Sequence, residues 1–277
     1  MVKIVNLIVS DIVNEVKADK NLSSLSLVGS FSNPDKELES SNDLDFVFIY
    51  EKLGKESLDS LKKLAVDLRK KYSSEKVEIN YTFKIGPIKL SSNKLQSILI
   101  HFLVYSKENY FKYESVLTRY SFQHYPQLLG LPLKEVNNFK SVVDIDLFND
   151  IDGIPAIKKW IHEGAIPYIE PTFKGVKISN IKLKNEVYLE VIFYSILWLS
   201  NNLLRVFGEF HPDIDSDMCM KFKQKIPIKL NNFPLQVYKY KKLIRNNKTL
   251  SDENIEDLKK NALRFVEECE SYLRDKL

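Results

Sequence analysis

The chain has 277 residues, of which 44% are hydrophobic and 28% are charged, and its net charge is +4. This composition is typical of a globular protein with enough residues for two packed domains or one large one, and we find no internal repeat or low-complexity tract. The net charge is too close to neutral to predict strong, sequence-independent binding to nucleic acid.

The cysteines and the apolar segments of the sequence indicate the cellular compartment in which we expect the protein. Cys219 and Cys269 form no disulfide or metal-binding spacing, which suggests a reducing compartment. The first 20 residues carry charges among apolar residues at helical spacing, so we expect an amphipathic helix and no signal peptide. The longest apolar run, residues 187–204, contains Glu190 and several other polar residues, which favours a buried helix over a membrane span. We therefore expect a cytoplasmic protein without membrane contact.

Helical and strand patterns alternate along the first hundred residues. The helices are predicted at residues 3–18 and 57–71, and the strands at residues 25–28, 43–50, 76–84 and 97–105. Residues 21–24 are predicted to break the first helix, and the polar residues 31–42 are predicted to form a loop. The strand at 43–50 is a near-continuous apolar run, which predicts burial on both faces.

The rest of the chain turns from mixed to helical patterns. Residues 107–140 are rich in aromatic side chains and turn signals, and we predict loops and short helices that line a cleft. A short strand at 141–148, a turn at 150–153 and a helix near 154–162 are predicted next. Glycine and proline cluster at 160–180, and long helices are predicted beyond that cluster, at residues 185–207 and 251–277.

These patterns predict an α+β fold with two domains. The first, residues 1–165, would contain a mixed sheet with helices. The second, residues 166–277, would be helical and would bind the acceptor of the reaction inferred below.

Chemically informative residues concentrate in the first domain. The first strand ends on Gly29-Ser30, and the next begins Asp43-Leu44-Asp45. Side chains alternate along a strand, so Asp43 and Asp45 point the same way, and two close carboxylates are stable mainly with a hard cation between them. Gly29 and Ser30 can approach and bind phosphate oxygens. Glu78, between apolar neighbours on a later strand, is the candidate third carboxylate.

This three-part pattern resembles the signature of the nucleotidyltransferase superfamily, whose members have a DNA polymerase β-like palm. That signature is an apolar residue and Gly-[Gly/Ser], a spacer, two acids in apolar alternation, and a later acid between apolar residues. Val28-Gly29-Ser30, Asp43-Leu44-Asp45-Phe46 and Val77-Glu78-Ile79 match its three parts, within residues 25–80. The chain is most similar to the small-molecule (aminoglycoside) nucleotidyltransferases, in which a strand like Lys76-Val77-Glu78 carries the third acid and a helical domain follows.

The resemblance implies an enzyme that moves a nucleoside monophosphate from a nucleoside triphosphate to a hydroxyl group of a small molecule, such as an aminoglycoside-like antibiotic, and releases pyrophosphate. Gly29 and Ser30 would bind the nucleotide, and Asp43, Asp45 and Glu78 would hold two Mg²⁺ ions. The general base would be a glutamate on the first long helix of the second domain, where Glu186 and Glu190 lie one turn apart; we assign Glu190.

Alternative readings remain at this level. Transfer to a macromolecule, either an RNA end or a protein, would require a continuous basic stripe from residues 221–229 and 239–245. A non-catalytic, antitoxin-like member of the fold would be expected to lack a metal ligand, whereas all three acids are present.

A second Asp-x-Asp at Asp144 and Asp146 has no Gly-Ser before it and is predicted to be a surface strand. His101 is predicted to be a packed core or cleft residue. A homodimer is compatible with the sequence.

Overall fold

The structure is a computed structural model, and it describes residues 2–32, 41–86, 97–114, 116–139, 142–183, 185–209, 211, 214–246 and 248–276. The chain divides into two compact units. The first consists of Met1–Phe139 together with Tyr168–Ser179, and the second of Lys140–Pro167 together with Asn180–Leu277. Residues 33–40, inside the predicted loop 31–42, lie outside the described residues.

The first unit contains five strands and five helices among the described residues up to 139. In chain order these are α1 (Val2–Val16), β1 (Leu22–Val28), β2 (Ser41–Tyr50), α2 (Lys55–Tyr72), β3 (Glu78–Thr82), β4 (Ser97–Ser106), α3 (Lys107–Tyr113), α4 (Val116–Phe122), β5 (Gln127–Gly130) and α5 (Leu133–Asn137). A short 3₁₀ turn, Ser30–Ser32, follows β1. The predicted helices and strands up to residue 105 are therefore present, with ends shifted by a few residues.

The five strands form one mixed sheet in the order β3-β4-β2-β1-β5. Strands β3, β4 and β2 are parallel, whereas β1 runs antiparallel to both β2 and β5. Parallel neighbours need a crossover, and α2 lies in the chain between β2 and β3. This topology sets the carboxyl end of β1 beside the amino-terminal half of β2, where the site described below is built.

Strands β2 and β4 are buried on both faces, as their continuous apolar sequences predict. On one face, α1 and α2 pack over a core that includes Phe46, Phe48 and Phe102. On the other face a smaller apolar cluster includes Val47 and Ile49. The full burial of the strands holds polar side chains on this second face in fixed positions.

Two predictions about the first unit are only partly right. Helix α1 has ended before the predicted break at 21–24, but Leu22 and Ser24 already pair with β2, so β1 begins earlier than predicted. The aromatic-rich segment contains the predicted short helices, but it also contains β5, which completes the sheet beside β1. Its sequence, Gln127–Gly130, is only four residues long and carries no alternation, so periodicity could not reveal it.

The remaining elements follow residue 141. They are α6 (Val142–Glu163), the antiparallel hairpin of β6 (Ala165–Thr172) and β7 (Gly175–Lys182), α7 (Asn185–Val206), α8 (Ser216–Lys225), α9 (Phe233–Arg245) and α10 (Asp252–Arg274). The predicted long helices correspond to α7 and α10, and the hydroxyl of Ser251 caps α10 by accepting the N–H of Asn254. None of the described helices is long and apolar enough to cross a membrane.

The prediction of a strand at 141–148 and a turn at 150–153 is wrong, because α6 runs through both segments. Ile154, Ile157 and Ile161 lie at helical spacing, and all three are buried. Helix α6 is continuous through Gly153 and Pro155, two residues that normally interrupt helices. The Asp-x-Asp at Asp144 and Asp146 therefore lies on a helix.

The compact units do not divide at residue 165, where the sequence predicted a domain boundary. Helix α6 belongs to the second unit, and most of the β6–β7 hairpin belongs to the first. The hairpin is joined there by two backbone hydrogen bonds of 2.8 Å, in which Ile85 and Ile169 each donate to the other's carbonyl. A hairpin in this place was not predicted from the sequence.

Candidate active site

The turn after β1 lies directly against β2. Val28, the last residue of β1, pairs with Asp45, and Gly29 then takes a left-handed φ of 76°. The carbonyl of Gly29 accepts two hydrogen bonds from Ser32, one from its N–H and one from its hydroxyl. These bonds close the tight turn in which the backbone of Ser30 lies.

Gly29 and Asp45 are in close contact. A Cβ atom at Gly29 would lie 2.9 Å from Asp45 Oδ2, closer than a side chain tolerates. Glycine is thus required at this position for its backbone conformation and for space. The contact brings the predicted phosphate-binding turn and a predicted metal-binding carboxylate together.

Asp43 and Asp45 lie on the same face of the sheet, because they are two residues apart on one strand. It is the face opposite α1 and α2, since Leu44 and Phe46 belong to the core beneath those helices. Asp45 is 9% exposed, and Asp43 is half-buried. The predicted geometry of the two carboxylates is therefore present.

His101 is the neighbour of Asp45 across the sheet. The two residues are paired in the parallel register of β2 and β4, and His101 is 4% exposed. Its Nδ1 lies 3.0 Å from Asp45 Oδ1. Its Nε2 lies 3.0 Å from the carbonyl oxygen of Lys84, just beyond the end of β3. The imidazole thus bridges the second carboxylate of the pair and the backbone of another strand.

The sequence did not indicate this contact. It predicted a packed histidine, and His101 is packed, but its link to Asp45 was missed. Alternation along β4 could have placed His101 on the same face as the carboxylates. The parallel register that sets it opposite Asp45 depends on how β2 and β4 are aligned, and no short turn fixes that alignment.

Glu78 is the first residue of β3, and its side chain is on the face that also carries Asp43 and Asp45. Register pairs Glu78 with Ser97 of β4, and Ser97 with Ser41 of β2. Glu78 is therefore level with the residue two positions before Asp43, and one strand lies between them. Neighbouring strands are about 4.8 Å apart, so this position is about 10 Å from β2 measured between backbones. A role as third metal ligand stays a prediction.

The paired aspartates have the donor chemistry that Mg²⁺ prefers. Magnesium is held in many enzymes by one or two carboxylates together with substrate phosphates and water, without a complete cage of protein ligands. Within the described residues, no cluster of three or more His, Cys, Asp or Glu side chains could hold a metal ion by itself. Asp43 and Asp45, beside the turn that is predicted to bind phosphate, fit the first arrangement.

The predicted general base belongs to the second unit. Glu190 lies on α7, and its side chain is half-buried. Glu186 lies one turn earlier on the same helix. Helix α7 also buries several polar side chains in the core of its unit, among them Ser195, Ser200 and Asn202. The assignment of Glu190 as base stays a prediction.

No family model matches the chain, and no curated protein sequence matches it. One similar solved structure is that of the spectinomycin adenyltransferase AAD(9) from Enterococcus faecialis with ATP and spectinomycin. Its TM-score is 0.55 at 12% sequence identity, and the match covers 97% of this chain and 99% of that chain.

At this identity the likeness is one of fold. The chain has an α+β fold with a mixed sheet and helices, and it shares that fold with the adenyltransferase over nearly the whole length of both proteins. This likeness supports the resemblance inferred from residues 25–80 at the level of the fold alone.

Proposed function

We propose that this chain is a Mg²⁺-dependent nucleotidyltransferase that transfers a nucleoside monophosphate from a nucleoside triphosphate to a hydroxyl of a small molecule. The observation that carries the proposal is the contact between Gly29 and Asp45 Oδ2, because it joins a phosphate-binding turn to a paired carboxylate. The fold of an adenyltransferase solved with ATP and spectinomycin supports the same reaction. An aminoglycoside-like compound is the proposed class of acceptor.

In the proposed reaction, the acceptor oxygen forms a bond to the α-phosphorus, and the bond between that phosphorus and the bridging oxygen of the β-phosphate breaks. Pyrophosphate leaves with the electron pair. The turn at Gly29 and Ser30 would orient the triphosphate, and Asp43 and Asp45 would hold Mg²⁺. When bound, Mg²⁺ supplies positive charge that stabilises the phosphate oxygens in the transition state.

Two further carboxylates complete the proposal. Glu78 is proposed as the third ligand, which would allow a second ion. Glu190 is proposed to take the proton of the acceptor hydroxyl as it attacks. These roles separate experimentally, because Glu78→Gln is expected to weaken Mg²⁺ binding, whereas Glu190→Gln is expected to lower turnover with nucleotide affinity retained.

Transfer to RNA is less well supported. It would require a continuous basic stripe, but Lys221 and Lys225 both pair with Glu209, at 2.8 and 3.3 Å. The hydrogen bonds from these lysines hold the pKa of Glu209 below its usual value, so the acid is ionised near neutral pH and offsets their charge. Transfer of the nucleoside monophosphate to RNA is therefore the alternative result of the experiment, and transfer to a small molecule is the expected one.

The test combines binding with product detection. Calorimetry with each nucleoside triphosphate and Mg²⁺ is expected to reveal binding. Mass spectrometry of a panel of aminoglycosides and related hydroxyl compounds is expected to show an acceptor heavier by one nucleoside monophosphate. The double variant Asp43→Asn with Asp45→Asn is expected to lower kcat/KM by at least about 100-fold, since it removes two of the three proposed charged metal ligands.

The matched control is Asp144→Asn with Asp146→Asn. It makes the same change at the same spacing, on α6, and is expected to retain activity. The proposal fails if the native chain binds no triphosphate, or if the Asp43 and Asp45 variant is as active as the control. Labelling of RNA, but of none of the small molecules, would replace the proposed acceptor class.

A further inference from the structure

His101 connects two parts of the first unit that the proposed chemistry does not by itself require to be connected. One is the Asp45 carboxylate, through Oδ1, and the other is the backbone carbonyl of Lys84. Both partners are acceptors, so the imidazole holds Asp45 Oδ1 by donating the Nδ1–H, and the close approach of Nε2 to the Lys84 carbonyl further restricts the orientation of the ring. Such a group is suited to hold its neighbour in place.

We propose that His101 is a positioning residue for Asp45, holding the carboxylate by Oδ1 so that Oδ2 is directed to the Gly29 turn. This inference rests on the proposed function, because orientation of Asp45 matters for activity only if Asp45 binds the cation beside the triphosphate. Asp45 Oδ2 is the oxygen that a Cβ at Gly29 would meet. The two oxygens of the Asp45 carboxylate thus have different neighbours. Because His101 holds Oδ1, Oδ2 is the oxygen that faces the Gly29 turn.

The support for His101 continues beyond the histidine. The Lys84 carbonyl that faces Nε2 belongs to the same peptide unit as the N–H of Ile85, which donates to the Ile169 carbonyl at 2.8 Å. The N–H of Lys84 donates to Thr82 Oγ1 at 3.1 Å. The peptide is therefore held by β3 on one side and by the β6–β7 hairpin on the other. A fixed carbonyl gives the imidazole a fixed reference point.

The competing explanation is that His101 only fills space in a packed sheet. An aromatic side chain of similar size would then serve equally well. A positioning role predicts that the hydrogen bond at Nδ1 matters separately from the volume of the ring. Partners that hydrogen-bond to a metal ligand typically change metal affinity by about 10- to 100-fold when removed.

The experiment measures Mn²⁺ bound by the full chain in the presence of the α,β-methylene analogue of each nucleoside triphosphate; these analogues cannot release pyrophosphate. Free Mn²⁺ is followed by electron paramagnetic resonance. His101→Phe, which keeps a ring but no donor, is expected to weaken Mn²⁺ binding by about tenfold or more. His101→Asn, whose amide nitrogen can replace Nδ1, is expected to restore affinity to within about threefold of native.

The control is Ile100→Val, which removes one methyl group from the adjacent buried residue on the opposite face. It loosens the packing of the same strand without touching Asp45 and is expected to leave Mn²⁺ affinity unchanged. Circular dichroism reports folding of each variant. If His101→Phe does not fold, His101→Asn is compared with His101→Gln, whose amide lies nearer Lys84, and the asparagine variant is expected to bind Mn²⁺ more tightly.

The outcomes separate the two proposals. If the native chain shows no nucleotide-dependent Mn²⁺ binding, the proposed function and this inference are both overturned. If the native chain binds Mn²⁺ and His101→Phe binds it equally well or more tightly, only the positioning role is overturned. Equal binding by the asparagine and glutamine variants would also overturn it.

Discussion

At the scale of single residues, the site depends on a glycine, Gly29, whose missing side chain leaves space for the carboxylate of Asp45. Gly29 has a left-handed φ, and its missing side chain leaves the space in which Asp45 Oδ2 lies. An L-residue in this conformation costs about 1–2 kcal/mol, even where there is room for its Cβ. A Cβ at Gly29 would in addition lie too close to Asp45 Oδ2, so the cost of that steric conflict is added to the cost of the backbone strain.

Gly29→Ala is therefore expected to destabilise the chain by more than 1–2 kcal/mol and to displace the Asp45 carboxylate. Displacement of a reacting or metal-binding group by about 1 Å can lower turnover by about 100-fold. Thermal unfolding measures the first effect, and kcat/KM for nucleotidyl transfer measures the second.

Gly208→Ala is the control for this variant. Gly208 has a φ of 81°, close to that of Gly29, but a Cβ there would meet nothing within 4 Å. It is expected to show the conformational cost alone, with activity unchanged. Equal losses of stability and activity in both variants would show that the contact with Asp45 contributes to neither.

At the scale of elements, α6 is the segment whose local sequence gave the wrong structure. Residues 141–148 alternate apolar and acidic side chains, which is a strand pattern, and Gly153 with Pro155 suggests an interruption. Helix α6 nevertheless runs through both signals, since local preferences of this kind are weak and tertiary context can override them. Lys158 on α6 also donates to Glu270 of α10 at 2.5 Å, and Arg274 donates to the same carboxylate at 3.0 Å.

The ion pair between α6 and α10 gives a pH-dependent prediction. The hydrogen bonds from Lys158 and Arg274 hold the pKa of Glu270 below its usual value. A lowered folded-state pKa means that the unfolded chain binds the proton more readily. The stabilisation is therefore present above about pH 4.3 and is lost as pH falls through the folded-state pKa.

Glu270→Gln is accordingly expected to lower the free energy of unfolding by about 1 kcal/mol at pH 7, because the pair is partly exposed. The difference from native should shrink as the pH falls below about 4. Chemical denaturation at a series of pH values measures it. Glu267→Gln, an exposed residue of the same helix, is expected to change stability little at any pH. A constant difference across the pH range would contradict the assignment.

At the scale of the whole molecule, the division into units depends on the β6–β7 hairpin. Tyr168 is buried against Gly86, where a Cβ would lie 2.4 Å from the tyrosine ring. This contact and the pairing of Ile85 with Ile169 connect the hairpin to the end of β3. The first unit is thus discontinuous in sequence, and a cut after residue 165 would separate the hairpin from it.

Gly86→Ala tests this connection. It is expected to destabilise the first unit by about 1–3 kcal/mol, because the added methyl group overpacks a buried aromatic ring. Hydrogen exchange resolved by segment measures where protection is lost, which should be in β3 and residues 168–179. Gly153→Ala is the control: its Cβ meets nothing within 4 Å, and the gain in helix propensity should stabilise α6 by about 0.5–1 kcal/mol. Loss of protection confined to α6 in Gly86→Ala would contradict the connection.

The sequence by itself determined the core of the sheet, the turn at Gly29 and the placement of the paired aspartates. Apolar runs over β2 and β4 could be stable only if buried on both faces, and alternation along β2 set Asp43 and Asp45 on one face. Gly29-Ser30 after an apolar strand marked the turn. These predictions succeeded because each depends on residues close together in the chain, whose geometry is fixed by the period of one element.

The tertiary structure alone decided which residues from different strands meet. The parallel register of β2 and β4 sets His101 opposite Asp45, and the pairing of Ile85 with Ile169 brings a hairpin to the carbonyl that holds His101. Parallel strands are joined by long crossovers, so no short turn determines their register; it follows from the packing of the whole sheet. Residues 142–163 likewise form one helix although residues 141–148 alternate as a strand does, because local preference is weak and tertiary context can override it.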